Sequence, residues 1–179
     1  AMHLLDGKKL AEGVNAHTKE IIKLLAHTPR LCVLLVGNDP ASVLYVSLKK
    51  KAAEAIGIEM RVEHIQEETS DEKLFSIIKT WNRDPLVDAI LIQLPLPSNH
   101  DTDRLVNAID PQKDVDGFRP FSPVFSPTHQ AILTLLNTSP HRVTESKITI
   151  LANSLIFADP LANLLRHAGA DVEILLSDA

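Results

Sequence analysis

Three side chains in this sequence are of types that move protons or grip a heterocycle: Lys49, Gln93 and Asp116. Lys49 lies within "DPASVLYVSLKKKAAEAIG", Asp39 to Gly57, which opens on a good N-cap and a proline and closes on a glycine suited to C′. Those limits predict a helix and set its phase. At about 100° per residue, Ala52, Ile56 and Lys49 fall within about 40° of Tyr45, and Ser42 about 60° away. Leu44, Leu48 and Ala55 extend the same apolar arc, while Ser47, Lys50, Lys51 and Glu54 point the opposite way. Lys49 alone brings charge into the arc.

Two outcomes are open to such a lysine. It can snorkel, laying its methylenes on the core with its ammonium in water. Alternatively it sits in a partly dry cleft, where lost solvation favours the neutral amine and lets it exchange protons near neutral pH. Tyr45, one turn earlier, then offers a flat face for a ring, and Ser42 a hydroxyl. Gln93 stands at the carboxyl end of the predicted strand in "DAILIQLPLP", where open α/β sheets place their ligands, and the prolines turn the chain out of the sheet. "KDVDG" sets Asp114 and Asp116 beside Gly117, residue types that form turns. In a pocket, Asp116 would accept paired hydrogen bonds from an amidine-like ring edge.

The elements that must position these groups alternate in kind. A helical pattern from about Gly7 to Ala26 precedes the strand "RLCVLLVG", the Asp39 to Gly57 helix and the strand "IEMRVEHI". "TSDEKLFSIIKTWN" reads as a helix opened by a Thr69/Glu72 capping box, "DAILIQL" as a buried strand and "TDRLVNAI" as a short helix. This βαβαβ series implies an α/β fold, a mostly parallel sheet with helices on both faces forming a three-layer first domain. The proline-rich "RPFSPVFSP" reads as a linker, so residues 1–118 are expected as one domain and 119–179 as a second. In the second, "THQAILTLL" and "FADPLANLLRHAG" read as helices, "KITILA" and "DVEILLS" as strands: a shortened Rossmann-like unit.

Composition excludes several other classes. The 179 residues are 45% hydrophobic and carry a net charge of −5 with both signs interspersed, so neither a nucleic-acid stripe nor a membrane anchor is expected. No apolar run suits a membrane span, and the start "AMHLLDGKKL" lacks signal-peptide regions, so the expected compartment is the cytoplasm. The single cysteine, Cys32, sits in an apolar run as a small buried hydrophobe, and the eight histidines show no metal-ligand spacing. No metal site is expected.

"VGNDPASVLYVSLKKKAAEAIGI", "IQLPLP" and "PQKDVDGF" together resemble three successive signatures of the bifunctional methylenetetrahydrofolate dehydrogenase/methenyltetrahydrofolate cyclohydrolase family, from about Leu4 to Phe118. The resemblance implies a folate held between two α/β domains, the second binding NADP, and a dimer formed through the nucleotide domain. By position, Lys49 would transfer protons, Gln93 orient it, Tyr45 wall the folate, Asp116 hold the pterin edge and Ser42 support the lysine helix. Past Phe118 the likeness weakens. "FRPFSPVFSPTHQAI" keeps only Thr128 of the next signature. "ANSLIFADP" keeps Ser154 and Pro160 of the phosphate-binding turn but has Ala152 and Ala158 for glycines and Asn153 for an arginine. The methyl groups of Ala152 and Ala158 and the charge of Asp159 are expected to obstruct and repel a pyrophosphate, which makes NADP doubtful and cyclohydrolase-type hydrolysis the expected activity. Two alternatives remain: a folate-binding relative without catalysis, and a complete NADP-dependent bifunctional enzyme.

Overall fold

The computed structural model describes residues 4–119 and 122–177. Its eleven named elements are the helices α1 (Gly7–Ile22), α2 (Pro40–Ile56), α3 (Asp71–Arg83), α4 (Thr102–Asn107), α5 (Pro127–Leu136) and α6 (Leu155–His167), and the strands β1 (Arg30–Val36), β2 (Glu59–Ile65), β3 (Ala89–Ile92), β4 (Lys147–Ala152) and β5 (Asp171–Leu176). The chain divides into two compact units, one spanning Gly13–Val124 and the other running from Phe125 onward together with the residues up to Glu12.

In the first unit β1 is the central strand of a parallel sheet ordered β2-β1-β3. Its sequence "RLCVLLV" is apolar on both faces because both faces are covered. Alternation sends Cys32, Leu34 and Val36 into a core with Leu74 and Ile78 of α3, Leu105 and Val106 of α4, and Ile90 and Ile92 of β3. Val33 and Leu35 point the other way, against Val46 and Ala53 of α2, Met60 and Leu91. Helices thus cover the sheet on both sides, as the βαβαβ pattern predicts.

The ends of α2 behave as its sequence demands. Asp39 caps it, accepting from Ser42 N at 2.8 Å, and Gly57 closes it at φ 95°, where its N–H reaches the Ala53 and Glu54 carbonyls. The phase differs from expectation. Ser42, Val46 and Ala53 form the buried stripe, with Lys49 half-buried within it, whereas Leu44, Tyr45 and Leu48 are exposed. The stripe is set by what packs against Val33, Leu35 and Leu91, and small residues at 42, 46 and 53 let α2 approach the sheet.

Two further details correct the sequence reading. α3 is capped by Ser70, whose side chain accepts from Lys73 N at 3.4 Å, so the Thr69/Glu72 box is not the cap. α1 is amphipathic in pattern yet buries none of its residues among those described. In the second unit β4 and β5 pair in parallel and α6 covers them, with Ile150, Val172, Ala158, Leu161, Ala162 and Leu165 forming the core. No helix among the described residues is long and apolar enough to cross a membrane.

Candidate active site

The first unit brings Lys49, Gln93 and Asp116 together. Gln93 follows β3 directly, and its N–H still donates to Leu34 O at 2.9 Å, so the last rung of the sheet fixes its backbone. Its side chain is buried, and its amide is oriented at both ends. Nε2 donates to Leu94 O at 2.7 Å, which leaves Oε1 to accept from Lys49 Nζ at 3.0 Å. The half-buried lysine therefore neither snorkels freely nor meets a counter-ion in this bond; a neutral carboxamide holds it.

Asp116 adds charge to this pair. Burial pushes its carboxyl above the ordinary carboxylate range, the Lys49 ammonium offsets part of that, and Asp114 adds to it. Among the described residues no protein group donates a hydrogen bond to the Asp116 carboxylate, although its own N–H is held by Asp114 Oδ1 at 3.1 Å. A half-buried carboxyl without donors, beside an ammonium, suits a ligand that presents N–H groups.

Tyr45 lies one turn before Lys49 and is 58% exposed, free to lie against a ring. Ser42 is 3% exposed and sits in the buried stripe with its backbone N–H tied to Asp39, whose carboxyl those hydrogen bonds from Ser42 hold below its usual range. Loop geometry above the sheet depends on a clasp that the sequence did not reveal. The His100 ring is buried, its Nδ1 2.6 Å from Asp71 Oδ1 and its Nε2 2.9 Å from Glu67 O, while Asp71 Oδ2 accepts from Asp101 N at 3.0 Å. No spacing pattern marks such a contact, because its members lie on three separate segments. Ser122 lies in the proline-rich stretch whose composition suggests a linker, yet its hydroxyl donates to Asp114 Oδ2 at 2.9 Å.

Ser154 belongs to the second unit, immediately before α6, where its carbonyl accepts from Ala158 N at 3.1 Å. Ala158 is fully buried in the core of that unit. Its methyl group faces packed side chains, so the expected obstruction of a phosphate by that methyl does not hold; a glycine here would serve close packing, and alanine fills the same space. Asn153 and Asp159 are exposed.

The unit is thus a three-layer α/β protein of the open-sheet class, with a lysine, an amide and a half-buried carboxylate gathered by the carboxyl end of a parallel strand, where such sheets hold their ligands. The chain belongs to the tetrahydrofolate dehydrogenase/cyclohydrolase family, whose catalytic-domain model matches residues 5–116. It is 37% identical to the bifunctional protein FolD of Helicobacter pylori strain HPAG1, with 96% of this chain and 63% of that protein covered. It is 39% identical to FolD of Aliarcobacter butzleri, covering 97% and 65%. The chain thus spans about 63% of the length of the first of these curated relatives. Among solved structures, the bifunctional FolD of Campylobacter jejuni superposes with a TM-score of 0.92 at 34% identity, over 100% of this chain and 68% of that one. A Trypanosoma brucei dehydrogenase-cyclohydrolase, solved with NADP cofactor and an inhibitor, gives 0.89 at 25% identity over 98% and 64%.

Proposed function

We propose that the chain performs folate one-carbon chemistry of the cyclohydrolase type, opening the five-membered ring of 5,10-methenyltetrahydrofolate to the 10-formyl form. The observation that carries this reading is the Lys49 Nζ to Gln93 Oε1 bond of 3.0 Å, with the half-buried Asp116 carboxyl close enough to feel the same ammonium. Asp116 would grip the amidine edge of the pterin, Tyr45 would lie over the ring system, and Ser42 would support the start of α2. Water adds to the methenyl carbon and loses one proton to leave a hydroxyl; that hydroxyl gives up its own proton as the formyl carbonyl forms and the bond from the carbon to N5 breaks, and N5 takes one proton. Lys49 carries the proton between these positions while Gln93 aims the amine. The balance is one water consumed and one proton released per turnover.

Hydride transfer to a nicotinamide dinucleotide is the second reading. The absence of a clash at Ala158, together with sequence likeness over 96% of this chain, favours a dinucleotide at the turn before α6, where Ser154 and the helix N-terminus would meet phosphate. When bound, the nicotinamide would supply the hydride acceptor. Against it stand the exposed Asp159 carboxylate and an asparagine, Asn153, in place of a cation.

The deciding experiment follows the loss of methenyltetrahydrofolate absorbance with purified protein. Acceleration over buffer that disappears in Lys49→Ala is the expected result, and no acceleration refutes hydrolysis. Titration with NADP in the same preparation separates the two readings.

A further inference from the structure

Asp114 is a turn-forming residue by type, but its surroundings show a carboxylate fully employed. It is 5% exposed; Oδ1 accepts from the backbone N–H groups of Asp116 at 3.1 Å and Gly117 at 3.0 Å, and Oδ2 accepts from the Ser122 hydroxyl at 2.9 Å. Its own backbone is anchored, bridged in parallel to Ile90 of β3 and donating to Asp110 O at 3.0 Å. The neighbouring Lys113 ties the same segment to the end of α3, with Nζ donating to Trp81 O at 3.0 Å and Asp84 O at 2.8 Å. Two residues on, Gly117 takes φ 69°, a left-handed turn that side-chain-bearing residues rarely adopt. Asp114 is thus fastened to the sheet on one side and holds the Asp116–Gly117 turn on the other.

We propose that Asp114, latched by Ser122, is the positioning residue for the carboxylate that grips the substrate's amidine edge, a role that rests on the folate reading above. Two backbone N–H groups held by one carboxylate fix the peptide planes on either side of the Asp116 Cα. The direction of the Asp116 side chain then follows from the backbone rather than from any bond to its own oxygens. Its carboxyl remains free for a ligand because Asp114 has taken the turn's donors. The Ser122 hydroxyl, which also accepts from Val124 N at 3.3 Å, stops the Asp114 carboxylate from rotating and couples the departing chain to the turn.

The variants Asp114→Ala, Asp114→Asn and Ser122→Ala test this in two arms. The first arm needs no ligand: amide hydrogen exchange at Asp116 and Gly117 is expected to quicken about tenfold or more in Asp114→Ala, about threefold in Ser122→Ala, and little in Asp114→Asn, which keeps an accepting oxygen. The second arm measures steady-state kinetics with 5,10-methenyltetrahydrofolate. Asp114→Ala should raise KM by roughly 30-fold or more with kcat within about fivefold, and Asp114→Asn should restore KM to within about threefold. Unchanged exchange at both amides in Asp114→Ala overturns the proposal. So does an equal rise in KM for the asparagine and alanine variants, which would make charge rather than hold the cause. Should Asp114→Ala fail to fold, Ser122→Ala decides, and unaltered exchange in it refutes the latch. If the unaltered protein turns over no folate, the functional reading fails while the exchange arm still judges the positioning.

Discussion

Replacing Gln93 by glutamate sets a carboxylate where a neutral amide now meets Lys49. With Oε1 and Nζ 3.0 Å apart, unit charges attract by about 1.4 kcal/mol in bulk water and about 5.5 kcal/mol at an effective dielectric of about 20. Lys49 is half-buried, so screening by solvent places the effect between these limits, at about 3 kcal/mol. Carried into the barrier of a step that needs the lysine proton to move, that amounts to about two decades in rate. Initial rates of methenyltetrahydrofolate loss, with the buffer reaction subtracted, would be followed from about pH 6 to about pH 9. The expected outcome for Gln93→Glu is a rate about 100-fold lower at neutral pH, with KM within a few-fold of the original. Gln93→Leu removes the acceptor without adding charge, so it lacks the new ion pair and its rate should fall by less than that of the glutamate variant. Equal rates for the glutamate variant and the unaltered protein, or a larger loss in the leucine variant than in the glutamate variant, would refute proton carriage by Lys49.

Other consequences can be measured on the folded protein alone. Because burial raises the Asp116 carboxyl, the unfolded chain gives up this proton more readily than the folded one; stability falls as pH rises above the unfolded value of 3.8, and the penalty persists at neutral pH. Asp116→Asn should therefore raise Tm at pH 7 while weakening folate binding about 100-fold, and a lower Tm would contradict the assigned burial. His129 of α5 is buried, its ring 4.8 Å from that of Phe157, its Nε2 without a hydrogen-bond partner among the described residues, and burial holds its imidazole below the usual value of 6.5. The unfolded ring binds a proton more readily, so this contribution is complete above that value and is lost as pH falls through the folded one. Melting curves of the second unit should drop between neutral and mildly acid pH, and His129→Leu should flatten that slope; an unchanged slope would clear His129 of responsibility. The phase of α2 is tested by two truncations: Val46→Ala should cost about 2 kcal/mol in denaturant unfolding and Leu48→Ala less than about 0.5 kcal/mol. Reversed costs would return α2 to the phase its residue types suggest.

Some of this was written plainly in the chain. An unbroken apolar run such as Leu31–Val36 has few solutions other than a strand covered on both faces, and Asp39, Pro40 and Gly57 mark their helix by backbone chemistry that local sequence carries. The grouping of Lys49 with Gln93 was legible through strand polarity and motif order. The burial of α2 was not, because Leu44, Tyr45 and Leu48 outweigh Val46 and Ala53 on any scale of residue type, whereas packing against β1 and β3 favours small side chains. The choice of Ser70 over Thr69 as a cap rests on backbone dihedrals that two adjacent hydroxyl residues do not announce. The Asp114–Ser122 latch joins residues eight positions apart through a turn, and the His100–Asp71 clasp joins residues 29 apart. Neither pairing leaves a periodic trace. Ala158 illustrates the opposite error: a substitution read as an obstacle to a ligand turns out to fill a hole in the protein's own interior.

The rung from Gln93 N to Leu34 O has an implication for how this protein can vary. Since the amide hangs from the sheet itself, the segment beyond Pro95 is at liberty to change length or composition without shifting the group that steadies the lysine. Drift in that stretch among relatives would alter what enters the site, leaving the reactive pair in register.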